Sequence, residues 1–399
     1  MKRTIFFIFL LLASFLALRT LSQAYYPATF WSSDRLPLHI VGVRAGKVVS
    51  GDETNLVALS PNKLVVYRIS ESKLVPVAEY AGGGRDSWIK LSLIDLDGNG
   101  ADEIIVSGFY HEDTSSFVAT VRDGKIQKIA DAPYHLSAIT WEGEPPRQGE
   151  PPRQGEPPRQ GKKILVAQKR FGGDDFSGPL IEMGLNGGKL VKKREIILPG
   201  GISGESISLF SVAGLEPMEG KGGFLQLNSM GKLLHYVRQG DGKYKKEWTS
   251  GESYSAVFTA LDITVRNMMN EVEKERFLVP VSFQIKAEDQ PLPLVTLPPP
   301  SSPSPLQVYV VKNEGYLKNI VGPIPSVKNA QMVRLVWSGY GFQEDWNSPR
   351  LDGAISDFDI VDWDDDGTPE ILAALLLRDK GYFDTLKKQD SLLIVLDLP

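Results

Sequence analysis

The sequence predicts an all-β chain folded as a β-propeller of six four-stranded blades. Three observations carry that expectation. Helical periodicity is scarce across the 399 residues, whereas short alternating or fully apolar runs bounded by Gly, Asn and Asp recur throughout. The runs fall in groups of four, each group spanning roughly 45 residues, the spacing of a propeller blade. Two acidic, glycine-bearing runs, each followed at once by an apolar strand, lie between the first and second runs of their groups.

The N-terminus is read separately. Lys2 and Arg3 precede an apolar stretch from Ile5 to Leu18, which Arg19 closes. The stretch is shorter than the about 20 residues that a membrane span needs. Ser22 and Ala24 then place small residues at the −3 and −1 positions of a cleavage site. Residues 1–24 are therefore expected to be a secretory signal peptide cleaved after Ala24, with an uncleaved anchor as the alternative. The mature chain has no transmembrane span on this reading and is secreted, periplasmic or held at the cell surface.

Composition narrows the rest. Cysteine is absent, which excludes disulfide staples, thiolate zinc sites, thiol nucleophiles and a lipid-modified cysteine after the signal. With 42% apolar residues, residues 25–399 are sufficient for one large β-domain. The net charge of −5 is mild and argues against nucleic acid as a partner. A monomer is expected.

The blades follow in chain order. The first takes Lys47 to Val49, Asn55 to Leu59, Lys63 to Ile69 and Lys73 to Tyr80. The second takes Ile89 to Ile94, Glu103 to Phe109, Ser116 to Val121 and Lys125 to Ala130, with the turn Arg122-Asp123-Gly124 before its last strand. The third takes His135 to Trp141, Lys163 to Lys169, Gly178 to Gly184 and Lys189 to Leu198. The fourth takes Ser206 to Gly214, Gly223 to Asn228, Lys232 to Arg238 and Tyr244 to Thr249. Ala256 to Ile263, Glu275 to Ile285, Leu306 to Val311 and Met332 to Trp337 make the fifth, and this long interval leaves room for a seventh blade.

The last unit has three strands only, Ala354 to Val361, Glu370 to Arg378 and Ser391 to Leu396. Leu36 to Val41, near the mature N-terminus, belongs to no blade. Pairing it into the last blade would supply the missing strand and remove an exposed edge. Two insertions interrupt the pattern. Residues 143–161 repeat Gly-Glu-Pro-Pro-Arg-Gln in tandem, and residues 290–305 are rich in Pro and Ser; both compositions predict solvated, disordered loops.

The two acidic runs carry the chemistry. Asp95-Leu96-Asp97-Gly98-Asn99-Gly100-Ala101-Asp102-Glu103 and Asp362-Trp363-Asp364-Asp365-Asp366-Gly367-Thr368-Pro369-Glu370 share the pattern D-x-D-x-[ND]-G-x-x-E. Side-chain oxygens at positions 1, 3 and 5, with glycine at 6 to let the chain turn, suit a hard cation such as Ca²⁺. The pattern is not an EF-hand. Position 12 is Val106 or Ala373 rather than Glu, an acid stands at position 9, and a strand follows instead of a helix.

A plain Asp/Gly turn is the alternative, since these are ordinary turn residues. Duplication of the same four ligand positions favours the cation. So does repulsion: Asp362, Asp364, Asp366 and Glu370 crowded together cost on the order of 1 kcal/mol per close pair without a counter-ion.

Both stretches, Ile94 to Val106 and Phe358 to Leu375, resemble FG-GAP or VCBS-type repeats. Such repeats build the propellers of integrin α-subunits and of many bacterial secreted proteins. The resemblance implies one Ca²⁺ in the loop between the first and second strands of each blade. It further implies Asp95, Asp97, Asn99 and Glu103 with the carbonyl of Ala101 as one ligand set. Asp362, Asp364, Asp366 and Glu370 with the carbonyl of Thr368 would be the other. The equivalent turns in the other blades depart from the pattern: residues 50–55 are too few, and 215–220 lack the alternating oxygens.

No catalytic constellation stands out. The four histidines, His39, His111, His135 and His235, show no metal-ligand spacing to one another. No nucleophile elbow, phosphate loop or His-Glu-x-x-His motif appears. The expected function is a non-enzymatic, Ca²⁺-stabilised propeller that offers a loop face to a protein or glycan partner, in adhesion or as a scaffold. The alternative is a carbohydrate-active enzyme of polysaccharide-lyase type, with a Lys, Arg or Tyr base in a deep cleft. Trp88, Trp337, Tyr340, Phe342 and Trp346 are either a binding surface or packing between blades.

Overall fold

The computed structural model describes residues 29–49, 53–111, 113–141, 162–169, 179–196, 209–210, 212–218, 221–228, 231–239, 244–254, 257–266, 272–280, 284–286, 307–316, 326–363, 367–377 and 390–398. Residues 1–24, expected to be a signal peptide, and the insertions 143–161 and 290–305 lie outside them.

Six antiparallel sheets with four-stranded ladders form a ring, a six-bladed propeller. The first strand, β1 (Thr29–Ser32), belongs to the last blade. Blade one is β2 (Gly42–Gly46), β3 (Asn55–Ser60), β4 (Lys63–Ser70) and β5 (Lys73–Ala81). Blade two is β6 (Asp86–Ile94), β7 (Glu103–Tyr110), β9 (Ser116–Arg122) and β10 (Lys125–Ala132), with the short β8 (Asp113–Thr114) beside β7. Blade three is β11 (His135–Trp141), β12 (Lys162–Gln168), β13 (Leu180–Asn186) and β14 (Lys189–Ile196). Blade four is β15 (Val212–Met218), β16 (Lys221–Leu227), β17 (Leu233–Arg238) and β18 (Tyr244–Thr249).

A separate hairpin, β19 (Val257–Arg266) with β20 (Val272–Pro280), follows and, among the described residues, pairs with no other sheet. Blade five is β21 (Gln284–Lys286), β22 (Gln307–Tyr316), β23 (Ser326–Trp337) and β24 (Phe342–Asn347), with β25 (Leu351–Asp352) beside β23. Blade six is β26 (Ala354–Val361), β27 (Glu370–Leu376), β28 (Ser391–Asp397) and, outermost, β1.

The burial of each strand follows from its place in the ring. Second strands are covered on both faces by the neighbouring blades, so β3, β7 and β27 read as continuous apolar runs and are buried almost throughout. Outer strands face water. Lys-Leu-Val-Lys-Lys-Arg in β14 and Tyr-Lys-Lys-Glu-Trp-Thr in β18 put charges on the free edges, which discourages pairing with another chain. Pro76 sits on β5, an edge strand, next to a register shift, a place in a sheet that tolerates proline.

The core is divided among the blade-to-blade interfaces. Val57, Leu64 and Val66 of blade one pack with Trp88, Leu91 and Ile104 of blade two. Comparable clusters join blades two and three around Leu136, three and four around Phe210, four and five around Val308, and five and six around Phe358. A sixth cluster, with Ile40, Val43 and Leu56 against Leu372, Leu393 and Val395, joins the last blade to the first. That cluster closes the ring.

Polar side chains pin several of these joins. Ser107 Oγ accepts from the Leu136 amide and donates to the Leu136 carbonyl, both at 2.6 Å. Asn313 does the same for Ile355, at 3.0 Å in each direction. Ser391 holds the chain entering blade one, donating to the Leu38 carbonyl at 2.6 Å and accepting from the Ile40 amide at 3.1 Å.

Three strand expectations are corrected. Closure does pair an N-terminal strand with the C-terminal blade, but that strand is Thr29–Ser32, aligned as Thr29↔Leu396 and Ser32↔Ile394. Leu36 to Val41 makes only an isolated bridge, Leu36↔Ser391, because Pro37 has no N–H to donate and this stretch carries the chain inward from the rim. The first strand of blade one is Gly42–Gly46 rather than Lys47 to Val49. In blade five, the runs near 256–263 and 275–285 mostly form the separate hairpin, and the innermost strand is the three-residue β21.

Candidate metal centre

Each acidic run links the innermost strand of its blade to the second strand, β6 to β7 and β26 to β27. In the first loop, Asp95 gathers the turn through its own carboxylate. It accepts from the amides of Gly98 at 2.7 Å, Asn99 at 3.2 Å and Gly100 at 2.9 Å. Asp97 accepts from the Asn99 amide at 3.1 Å, and Asn99 Oδ1 accepts from the Ala101 amide at 2.7 Å. Glu103, buried at the start of β7, reaches back to the Leu96 amide at 2.7 Å. Gly100 has φ +87° with open space around it, so its glycine is required by the turn and not by crowding.

The loop brings carboxylate oxygens of Asp95, Asp97 and Glu103 within 4.8 Å of one another. Ligand oxygens about 2.3–2.6 Å from a shared Ca²⁺ are separated by about that much or less, so the spacing fits such an ion. Burial pushes the Glu103 carboxyl above its ordinary range, and the charges of Asp97 and Asp95 push it further, against the Leu96 amide. A cation bound among them would reverse that trend. Next to it, burial also raises Asp102, which Lys163 partly offsets, and its amide donates to the Lys47 carbonyl at 2.7 Å.

The second loop repeats the frame. Gly367 donates to Asp362 Oδ2 at 2.9 Å, as Gly100 does to Asp95 Oδ2 at 2.9 Å. Trp363 donates to Glu370 Oε2 at 2.8 Å, as Leu96 does to Glu103 Oε2 at 2.7 Å. Gly367 again has a positive φ, +88°. Thr368 is exposed in this loop, and Glu370 is buried at the head of β27. Asp364 and Asp366 lie outside the described residues.

A second polar centre, unmarked by any motif, sits on innermost strands. Asp357 of β26 accepts from Arg44 of β2 at 2.6 Å and from Lys90 of β6 at 3.3 Å. Asp357 also accepts from the Val43 amide at 3.1 Å, and Asp359 accepts from the Ala45 amide at 3.1 Å. Burial alone would raise Asp357, but Arg44 and Lys90 outweigh it and hold the carboxyl below its ordinary range. Burial dominates at Asp359, whose carboxyl is raised, and at Lys90, whose ammonium is lowered despite Asp357. The sequence signal for this centre was a charge inside an otherwise apolar run, as in Trp88-Ile89-Lys90-Leu91.

The aromatic stretch is mainly packing. Trp88 and Phe342 are buried, and Trp337 packs edge-on against Phe342 and His235 at 5.0 and 4.9 Å. Tyr340 is the exception, 96% exposed at the tip of the β23–β24 hairpin. Among the histidines, His39 precedes blade one, His111 follows β7, and His135 and His235 lie in β11 and β17.

No protein-family model matches the sequence, and no curated protein matches it. Among solved structures, the chain is similar to one described as the crystal structure of BBS1N in complex with ARL6DN, soaked with mercury. The identity is 9%, over 93% of this chain and 96% of that one, with a TM-score of 0.46. A similarity that slight says nothing of what this chain does. Among the described residues, no helix is long and apolar enough to cross a membrane.

Proposed function

We propose that this chain is an extracytoplasmic, Ca²⁺-stabilised propeller of the FG-GAP or VCBS type, acting as a binding or adhesion scaffold for a protein or glycan. The observation that carries the reading is the repeated frame of the two acidic loops. In each, the amide at position 2 is held by the Glu at position 9, and the amide at position 6 by the Asp at position 1. Two loops that differ at positions 2, 4, 7 and 8 have the same clasp. In the first loop the carboxylates of Asp95, Asp97 and Glu103 also lie close together, which supports an ion site there. Ca²⁺ there would offset carboxylate repulsion and tie the innermost strand to the second strand in blades two and six. Residues 1–24 would direct the chain out of the cytoplasm.

The test is a titration of the Ca²⁺-stripped protein with Ca²⁺ by calorimetry, alongside melting curves with Ca²⁺ and with EDTA. Two binding events and a melting temperature raised by Ca²⁺ are expected, because an ion that binds the folded state preferentially stabilises it. Asp97→Ala should remove one event and Asp364→Ala the other. No heat and no melting shift would overturn the reading. A glycan array and a pull-down of surface proteins would then identify the partner class.

A further inference from the structure

Apolar packing does not by itself say which blade belongs beside which. Each of the six interfaces is made of similar apolar residues, with Val and Leu in all of them. Hydrophobic contact is non-directional, so faces this alike discriminate poorly among partners. The closing join needs more, because its two blades come from opposite ends of the chain.

At that join the structure places buried ion pairs, with both partners largely out of water. Arg44–Asp357 and Lys90–Asp357, at 2.6 and 3.3 Å, are ion pairs with side chains only 10% or less exposed. Ion pairs such as Lys192–Glu195 and Arg334–Asp345 stand instead in or near water on the rim. The three members come from innermost strands of three blades, the last, the first and the second, across 313 and 267 residues of chain. Arg44 Nη1 also donates to the Phe358 carbonyl at 3.1 Å, so it reads the backbone of β26 as well as its carboxylate.

We propose that the Asp357–Arg44–Lys90 triad is a registry device for ring closure. A join of the last blade to any other partner would bury Asp357 without its cations, or strand Arg44 and Lys90 together without an anion. Both outcomes are heavily penalised, while correct closure satisfies all three. Buried ionic groups add little net stability compared with apolar residues of the same volume, but they can specify a unique arrangement. The triad selects closure rather than strengthening it.

The experiment replaces all three groups with apolar side chains, Arg44→Met, Lys90→Met and Asp357→Leu together, in the full chain. Hydrogen exchange read by mass spectrometry and light scattering on a sizing column are the measurements. Expected is a melting temperature equal to or above that of the parent, with loss of the single species. Peptides covering Gly42–Gly46 and Ala354–Val361 should split into two exchange envelopes, and larger assemblies should appear. Leu233–Arg238, in blade four, should exchange as in the parent. A variant that stays monodisperse with single envelopes at both seam strands overturns the proposal. If the triple variant does not fold, Lys90→Met alone decides. It keeps the Arg44–Asp357 pair, so Asp86–Ile94 should show two envelopes while Ala354–Val361 keeps one, and a single envelope at both overturns the device.

Discussion

Arg44, on the innermost strand of the first blade, donates to Asp357, on the innermost strand of the last, at 2.6 Å and out of water. The pair spans the seam where the ring is closed, and Lys90 from the second blade completes it. Removing the shared anion should be far worse than removing an anion on the rim. Asp357→Ala leaves Arg44 and Lys90 buried without the anion they share and is expected to cost about 3–5 kcal/mol. Asp345→Ala breaks a bidentate pair with Arg334 that is partly in water and should cost less than about 1 kcal/mol. Urea unfolding of both variants measures the difference.

The seam should also make the fold sensitive to mild acid through His39. Its Nδ1 is buried without a hydrogen-bond partner among the described residues, and burial lowers its pKa to about 4. In the unfolded chain the same imidazole titrates near 6.5. Between those values the unfolded state binds more protons, so stability is complete above about pH 6.5 and falls as pH drops toward 4. The loss attributable to His39 is at most about 3 kcal/mol. His235, lowered by burial in the same direction, adds to it. His39→Gln should flatten the urea midpoint against pH across this window, and an unchanged slope would contradict the assignment.

Much of the ring was legible in the residues because strand and turn signals are local. The runs Glu103 to Phe109 and Ser391 to Leu396 are continuous apolar segments bounded by polar turns, and both became strands with nearly those limits. Partner choice is not local. The alternating hairpin β19–β20 has as strong a strand signal as any blade, but among the described residues it pairs only with itself. The three-residue β21 is too short to show a period. The charges of Arg44, Lys90 and Asp357 acquire meaning only when strands hundreds of residues apart meet, so no spacing announced them. The acidic loops were visible because each candidate ligand set is contained in nine consecutive residues.

The pins between blades should be worth more than their size suggests. Asn313 satisfies both the N–H and the C=O of Ile355 in the buried join of blades five and six. Asn313→Ala would leave two backbone groups without partners. An unsatisfied buried polar group costs about 1–3 kcal/mol, so about 2–6 kcal/mol is expected for the pair. Asn313→Asp keeps the acceptor for the Ile355 amide but loses the donor and should also destabilise. Gln343→Ala, at an exposed position on β24, serves as the neutral control. Equal midpoints for Asn313→Ala and Gln343→Ala would show that Asn313 does not pin the join.

Closure by β1 yields the last expectation. Thr29 to Ser32 covers the edge of β28, and Trp31 ties it to both sides of the seam. Its ring lies 4.9 Å from Trp363 of blade six, and its indole N–H donates to the Ser72 carbonyl of blade one at 2.8 Å. A chain that begins at Ser33 loses this strand and leaves the Leu392 to Leu396 edge open to pair with another copy. It should form oligomers on a sizing column and unfold at a lower temperature. A chain that begins at Thr29 keeps the strand and should remain a monomer. Trp31→Ala, which preserves the backbone pairing but removes both anchors, should fall between them. If the chain beginning at Ser33 is as monomeric and as stable as the one beginning at Thr29, β1 does not close the ring.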